Sequence, residues 1–358
     1  MRHIVCFHLY NDYSGSPKVL KMVLEGMLRK GYRIDLVSSK GGALDELLHY
    51  PNLQKHSYPY RFSSNGAVTM LRYCLVQLYT FFLSFRWLFR KDVVFYINTL
   101  LPAGPALAGR LMGKRVIYHY HENAFVKGSF YKLLAGVMQK LAHEIICVSA
   151  YQASFLPRKE RVTVIPNTLP KEFASRLKPN KEAAFERKRI LMLGSLKLYK
   201  SPLEFTSLAQ QLQQFAFELI VNDTQKNIDL FITEHKVNIS KNLTIYPRQS
   251  DVAPFYNRAS LVLNLTNKKQ AVETFGLTTL EAMSAGLPVV PTEGGIAEMV
   301  EDGVNGYKID VQNLNSIAEC IDQMLSNQEL YTKLSDNALR YAEKYNADAM
   351  IDGILSHF

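Results

Sequence analysis

The feature that most constrains the fold is an alternation of short apolar runs with segments of helical period, begun twice along 358 residues. "HIVCFHLY" reads as a buried strand. After the polar loop "NDYSGSP", the segment "KVLKMVLEGMLRKGY" sets Val19, Leu20, Val23, Leu24, Met27 and Leu28 on one helical face. Pro17 suits its first turn and Gly31 its C-terminal cap. "RIDLVSS", "DVVFYIN", "RVIYHYH" and "EIICVSA" follow as strands with helix-like segments between them. The pattern restarts after the charged stretch "LPKEFASRLKPNKEAAFERKR". There "ILMLGS", "FELIVN", "LTIYP", "LVLNLT" and "LPVVPT" are strands, while "PLEFTSLAQQLQQF", "GLTTLEAMSAG" and "SIAECIDQMLS" are helices. The closing stretch from Leu330 to Phe358 reads as helical. Alternation of this kind predicts parallel sheets covered by helices, here as two doubly wound α/β domains. Two such domains are expected to leave a cleft, with ligands at the C-terminal ends of the strands.

Composition supports a globular chain: 47% of residues are hydrophobic and 21% charged. The net charge of +10 is uneven. Residues 1–165 hold 22 Lys/Arg and 9 Asp/Glu, giving +13, and residues 166–358 carry −3. A basic first half suits nucleic acid, anionic lipid or a phosphorylated ligand. No nucleic-acid recognition motif accompanies it, so a nucleic-acid partner is not expected. Cys6, Cys74, Cys147 and Cys320 are scattered in apolar surroundings, without CxxC spacing. They read as buried free thiols of a reducing cytosol, not as disulfides or metal ligands. "MRHIVCFHLYND" lacks the long apolar core and cleavage site of a signal peptide.

Leu71–Phe89, "LRYCLVQLYTFFLSFRWLF", is rich in aromatics, and its uncharged core from Tyr73 to Phe85 is flanked by Arg72 and Arg86. That core is shorter than the roughly 20 residues that span a bilayer. Two readings stand: an interfacial helix with Trp87, Phe and Tyr at headgroup depth, or a buried helix of the first domain.

"ETFGLTTLEAMSAGLPVV" places Glu273 before a helix and Glu281 inside it. The first N–H groups of a helix lack internal partners, and its dipole adds positive potential there, so such an end can hold a diphosphate. Gly276 lets the backbone approach closely. A carboxylate accepts two hydrogen bonds from a vicinal diol, so Glu281 could hold a ribose and Glu273 a second sugar beyond the phosphates. That set describes a nucleotide-sugar.

The longer stretch "ETFGLTTLEAMSAGLPVVPTEGGIAEMVEDGVNGYKI" resembles the E-x7-E region of family 4 retaining glycosyltransferases of the GT-B fold. The likeness continues through Gly286-Leu287-Pro288-Val289-Val290, Gly294-Gly295, Glu298 and Asn305-Gly306. "GSLKLYKS" (Gly194–Ser201) is similar to the family's G-R-L-x-x-x-K-G element. Lys200 matches its lysine, Ser195 stands where arginine is usual, and Lys197 could supply the missing charge. Lysine does not reproduce the fork of arginine. "NDYSGSPKVL" resembles the glycine loop after the first strand, with Gly15 remaining of a double glycine. "RVIYHYHEN" resembles the strand ending in a histidine near the reacting centre, aligned with His121, or alternatively with His119. "VTVIPNTL" looks like the strand and turn before the linker.

The resemblance implies a GT-B protein with an acceptor-binding domain at 1–168, a linker at 169–188, a nucleotide-sugar domain at 189–336 and a helical segment, 337–358, crossing back to the first domain. It implies transfer of a sugar from a nucleoside-diphosphate donor, UDP favoured and GDP second, with retention. His121, Glu273 and Lys200 are the expected catalytic residues. Gly15, Gly194, Lys197, Lys200, Arg248, Phe275, Gly276, Leu277, Thr278 and Glu281 are expected to hold the donor. The Lys197 and Lys200 charges and the amides of Gly276, Leu277 and Thr278 would stabilise the leaving diphosphate, with no metal or other cofactor required, and domain closure would exclude water. Arg248, in "YPRQ" after a strand, could line the base pocket. The basic, aromatic first domain suggests a polyprenyl-diphosphate-linked glycan acceptor of bacterial surface polysaccharide at the cytoplasmic face of a membrane, contacted through Leu71–Arg90. A non-catalytic nucleotide-sugar-binding protein and an epimerase on the same fold remain alternatives. A nicotinamide dehydrogenase is disfavoured because no G-x-G-x-x-G follows the first strand.

Overall fold

A computed structural model describes residues 3–292 and 298–358. The chain forms two units: Met1–Asn167 with Asp348–Phe358, and Thr168–Ala347. Unit 1 contains β1 (His3–His8), β2 (Arg33–Ser39), β3 (Leu53–Tyr58), β4 (Val93–Asn98), β5 (Arg115–Tyr120), β6 (Glu144–Cys147) and β7 (Val162–Val164). They form one sheet in the order β3-β2-β1-β4-β5-β6-β7, every neighbouring pair parallel. Its helices are α1 (Gly15–Arg29), α2 (Gly66–Ser84), α3 (Ala103–Leu111), α4 (Ala124–Lys127), α5 (Ser129–Leu141) and α6 (Ala150–Ser154).

Unit 2 begins with two short helices, α7 (Lys171–Ala174) and α8 (Lys181–Arg187). Its strands are β8 (Arg189–Gly194), β9 (Ala216–Val221), β10 (Leu243–Tyr246), β11 (Leu261–Asn264) and β12 (Val289–Pro291), ordered β10-β9-β8-β11-β12 and again all parallel. The later helices of unit 2 are α9 (Pro202–Gln211), α10 (Gln225–Glu234), α11 (Ala253–Arg258), α12 (Leu277–Ser284), α13 (Leu314–Ser326) and α14 (Gln328–Ala342), and the last helix, α15 (Ala347–Leu355), belongs from Asp348 onward to unit 1. In each sheet the strand order reverses beside the first strand of its unit, between β1 and β4 and between β8 and β11. Open α/β sheets place ligands at such switch points.

The local reasons are plain. Every residue of β1 is buried, as a strand covered on both faces requires. The apolar face expected for α1 is the face it buries. Tyr32 N–H donates to the Met27 carbonyl and Gly31 N–H to that of Leu28, closing a Schellman motif with Gly31 at φ +83°. α12 ends the same way at Gly286, φ +71°, with Leu287 N–H on the Ala282 carbonyl. A Cβ at Gly306 would lie 2.2 Å from the Val289 carbonyl oxygen. Asn305 is buried and bonded to the Met299 carbonyl and the Glu301 N–H. Asn305-Gly306 therefore secures the edge of β12.

Several expectations change. β3, "LQKHSY", had no apolar run to mark it, because an edge strand is only half covered. The segment 169–188 is not a bare linker: α8 packs on unit 2, with the Phe185 ring against Tyr331. The closing helical stretch is two helices, and only the second joins unit 1. There Lys30 bonds Asp352, and Arg115 Nε donates to the His357 carbonyl at 2.9 Å. Cys74 is exposed, unlike Cys6, Cys147 and Cys320. Trp87 is buried, not at a surface, and its Nε1–H donates to Asp35 at 3.0 Å. The helical stretch Gly66–Trp87 runs 22 residues, enough by length and composition to cross a membrane. The helix is therefore longer than the uncharged core from Tyr73 to Phe85 implies. Gly294 and Gly295 lie outside the described residues.

Candidate functional site

The switch point of unit 2 gathers charge. β8 ends at Gly194, whose carbonyl accepts from Asn222 N–H at 2.9 Å. A 3-10 turn, Leu198–Lys200, then carries Lys200 back over the strand end. Ser201 follows at φ +56°, a left-handed conformation that costs a non-glycine residue of order 1 kcal/mol, with its buried hydroxyl unpaired among the described residues. Lys200 Nζ pairs with Glu273 Oε1 and donates to Thr266 Oγ1 at 3.3 Å. Thr266 Oγ1 in turn donates to Asn264 Oδ1 at 2.8 Å, and Asn264 Nδ2 to Thr278 Oγ1 at 3.2 Å. One network therefore joins the ends of β8 and β11 to the first turn of α12. Burial, and then the charge of Lys197, push the Lys200 ammonium down to about 8.

Gly276, at φ +80°, turns the chain into α12, and among the described residues no side chain caps this helix. The N–H groups of Leu277 and Thr278 have no acceptor among the described residues, and both residues are partly exposed. Two directed donors thus face outward at the positive end of a helix, beside a lysine. Phe275 is buried with its ring edge-on to Tyr345, so its packing supports the turn. Glu281, one turn into α12, accepts from the Tyr256 hydroxyl at 2.5 Å. Tyr256 is fully buried in α11, so that carboxylate oxygen has a set position.

Lys197 is exposed and lies 5.7 Å from the Tyr199 ring centroid, a solvated position near the turn. Arg248, exposed after β10, donates through Nε to Asn222 Oδ1 at 2.8 Å. Asn222 is the residue bonded to Gly194, which ties Arg248 to the β8 end.

The corresponding point of unit 1 is built from neutral groups. His121 Nε2 donates to Asn98 Oδ1 at 2.9 Å, Asn98 Nδ2 to His8 Nδ1 at 3.0 Å, and His8 Nε2 to the Tyr10 carbonyl at 2.9 Å. This chain crosses the ends of β5, β4 and β1. The His119 ring lies 4.2 Å from that of His121, is fully buried, and bonds Tyr96 at 2.7 Å. That placement makes His119 a structural residue of β5, and His121 the one directed out of it. Burial holds His121 well below its ordinary value, helped by the neighbouring His119 and His8. Burial likewise lowers His8 to about 4 and His119 to about 3. Thr99, next to Asn98, holds φ +71°, an outlier for a β-branched residue. Gly15 is exposed at the first position of α1, after the uncapped Ser14.

Sequence reasoning missed Asn264 and Thr266, which link Lys200 and Glu273 to the helix turn, and Tyr256 and Asn98, which orient Glu281 and His121. The polar ends of "LVLNLT" and "DVVFYIN" were the available signal. Among the described residues no three His, Cys, Asp or Glu side chains gather as a metal site.

The profile described as "Glycosyltransferase Family 4" matches residues 13–173, and that of "Glycosyl transferases group 1" matches residues 175–341. A glycosyltransferase of Haemophilus influenzae is 23% identical over 357 residues, covering 94% of each chain. The structure of Anabaena Alr3699/HepE in complex with UDP-glucose superposes with a TM-score of 0.79 at 18% identity, over 100% of both chains. Sucrose-phosphate synthase of Thermosynechococcus elongatus does so at 0.79 and 16%, covering 99% of this chain and 98% of its own. With two parallel sheets, strand orders reversed at matching points and a family profile over each half, the chain belongs to the family 4 glycosyltransferases of the GT-B fold.

Proposed function

We propose that this glycosyltransferase takes its sugar from a nucleoside-diphosphate donor, UDP-linked in the first instance and GDP-linked in the second, and transfers it with retention at the anomeric carbon. The observation that carries the reading is the Lys200–Glu273–Thr266 network beside the unpartnered amides of Leu277 and Thr278. That UDP-glucose occupies the Anabaena protein supports the choice of base. In this proposal the diphosphate lies on the α12 amides and Lys200, with Lys197 adding charge at longer range. Glu281, held by Tyr256, takes the ribose diol. Glu273 takes hydroxyls of the sugar, and its pair with Lys200 loosens as the phosphates arrive. Arg248 borders the base. As the bond from the anomeric carbon to the phosphate oxygen breaks, negative charge grows where these donors already point. The acceptor oxygen bonds to that carbon on the same face, and its proton passes to the departing phosphate oxygen. Neutral His121 is assigned to the sugar, as a hydrogen-bonding and not a charged group, and Gly15 to the phosphate side of the first unit. No metal step is required in this scheme, so chelator is expected to leave turnover intact.

The acceptor is proposed as a lipid-linked glycan of surface polysaccharide, met at the inner face of a membrane through the Leu71–Arg90 segment of a basic unit. The donor proposal is tested by thermal shift against UDP-, GDP- and ADP-sugars, with Glu281→Ala alongside. A ligand at about 100 times its dissociation constant stabilises by roughly 2.7 kcal/mol. One nucleotide series should shift the wild type and not the variant. No shift from any series in a folded protein would refute the donor reading.

A further inference from the structure

Helix α2 is amphipathic in the wrong direction for a soluble unit. Its inner face presents Tyr73, Val76, Thr80 and Ser84, followed by Trp87. The two hydroxyls turn back on the helix itself: Thr80 Oγ1 donates to the Val76 carbonyl at 2.7 Å and Ser84 Oγ to the Thr80 carbonyl at 2.6 Å. The outer face presents Leu71, Leu75, Leu78, Phe82 and Phe85, with Phe89 just beyond, and Leu71 and Phe82 are 61% and 67% exposed. Burying such side chains is favourable, so a contiguous row left in water marks an interaction surface.

Charge selects the occupant. From residue 47 to residue 91 the chain has no Asp or Glu and six Lys or Arg. Arg72, Arg86, Arg90 and Lys91 are exposed along the row. The spacing 71-75-78-82-85-89 would also suit a helix of a second copy, but such a seam is stabilised by opposite charges beside it. Here two copies would bring only arginines and lysines together. An anionic surface supplies what a second copy lacks. Spanning is disfavoured by the inner face. Tyr73 OH donates to the Leu101 carbonyl at 2.9 Å, Gly104 N–H to Gln77 Oε1 at 2.8 Å, and Trp87 to Asp35. A Cβ at Gly104 would lie 2.3 Å from the Gln77 carbonyl oxygen, so α2 and α3 are in backbone contact. A spanning helix would forfeit all of these contacts.

We infer that α2 lies flat in one leaflet of an anionic bilayer, inserting Leu71, Leu75, Leu78, Phe82, Phe85 and Phe89 while its arginines meet lipid phosphates. This sharpens the membrane contact proposed above and is independent of the donor assignment. The test is flotation with phosphatidylcholine vesicles, with and without about one third phosphatidylglycerol. The wild type should float with the anionic vesicles, at least about tenfold less with the zwitterionic ones, and be released as salt rises from about 0.1 to 1 M. Leu75→Ser/Leu78→Ser/Phe82→Ser should stay in solution with its thermal melt intact. Should that variant unfold, Arg86→Glu/Arg90→Glu replaces it and should also lose flotation. The inference is overturned if the wild type binds neither vesicle, if binding ignores salt and lipid charge, or if a folded triple variant still floats. Light scattering that finds a wild-type dimer, a monomeric variant and no vesicle binding would assign the face to a second copy instead. None of these results depends on whether a nucleotide binds.

Discussion

The two sheets reverse their strand order at equivalent places and carry opposite chemistry there. Between β8 and β11 stands a charged lysine, paired with a carboxylate and open to solvent on one side. Between β1 and β4 stands a relay of uncharged imidazoles and an amide. Topology supplies the location in both cases, because diverging loops leave the strand ends uncovered. Burial decides the charge. Lys200 keeps an anionic neighbour and a path to water. His8 and His119 are buried without a paired carboxylate, so charging them would place an ion inside the sheet, and for His8 the more distant Asp12 offsets that cost only in part. Both sites also hold a non-glycine residue at positive φ, Thr99 in one and Ser201 in the other. Strain of that kind persists where the surroundings over-determine the backbone.

The contrast can be broken most directly at Lys200. Lys200→Ala should lower kcat/KM about a thousandfold, the scale of losing a donor to developing charge. Initial rates with the matched donor measure it. If turnover survives, the division of labour between a charged and a neutral site is wrong.

The neutral site should declare itself in acid. Its histidines sit below their ordinary value when folded, so the unfolded chain takes up protons first as pH falls. Stability is therefore full above about pH 6.5 and declines below it, with His8 alone contributing a loss on the order of 3 kcal/mol by pH 4. Melting curves from pH 7 to pH 4 would read this, and His8→Gln should flatten the decline. A melting temperature unchanged over that range would mean the imidazoles are already charged or hydrated.

The charged site responds at the other end of the scale. Lys200 loses its proton above about pH 8 in the ligand-free protein. Nucleotide-sugar affinity should fall by up to about tenfold per pH unit beyond that point. Lys200→Arg should remove the dependence, because a guanidinium does not titrate there. Calorimetric titrations at stepped pH distinguish the two curves.

The smallest effect concerns strain. Ser201→Gly should relieve the left-handed backbone and delete a buried unpaired hydroxyl, raising stability by up to about 1 kcal/mol in denaturant unfolding. A loss instead would show that Ser201 is held by interactions that outweigh the backbone cost.

Much of the fold is legible in the sequence itself. The apolar runs of β1, β4, β8 and β11, the buried face of α1 and the glycine at its end each follow from local periodicity and backbone allowance. So did Gly276 opening α12. The errors share one cause, which is that partners distant in sequence decide burial. The sequence leaves Trp87 open to an interfacial or a buried place, and Asp35, distant in sequence, decides for burial by accepting its N–H. Burial works to raise the Asp35 carboxyl, yet hydrogen bonds from His3, His56 and Trp87 outweigh it and keep the group ionised. The edge strand β3 carried no apolar signal, because only one side of it has a neighbour.

What the sequence determined by itself was the sequence of elements, the two-unit plan and the residue types able to meet phosphates and sugars. These depend on spacing within about ten residues, where chain geometry dictates which side chains share a face. The tertiary structure alone decided which of those residues meet. Glu273 reaches Lys200 across 73 positions of chain, Tyr256 orients Glu281 from another helix, and Asn98 holds His121 from a neighbouring strand. It also decided that α2 turns its leucines outward. Periodicity names two faces of a helix, and only packing chooses which of them is covered.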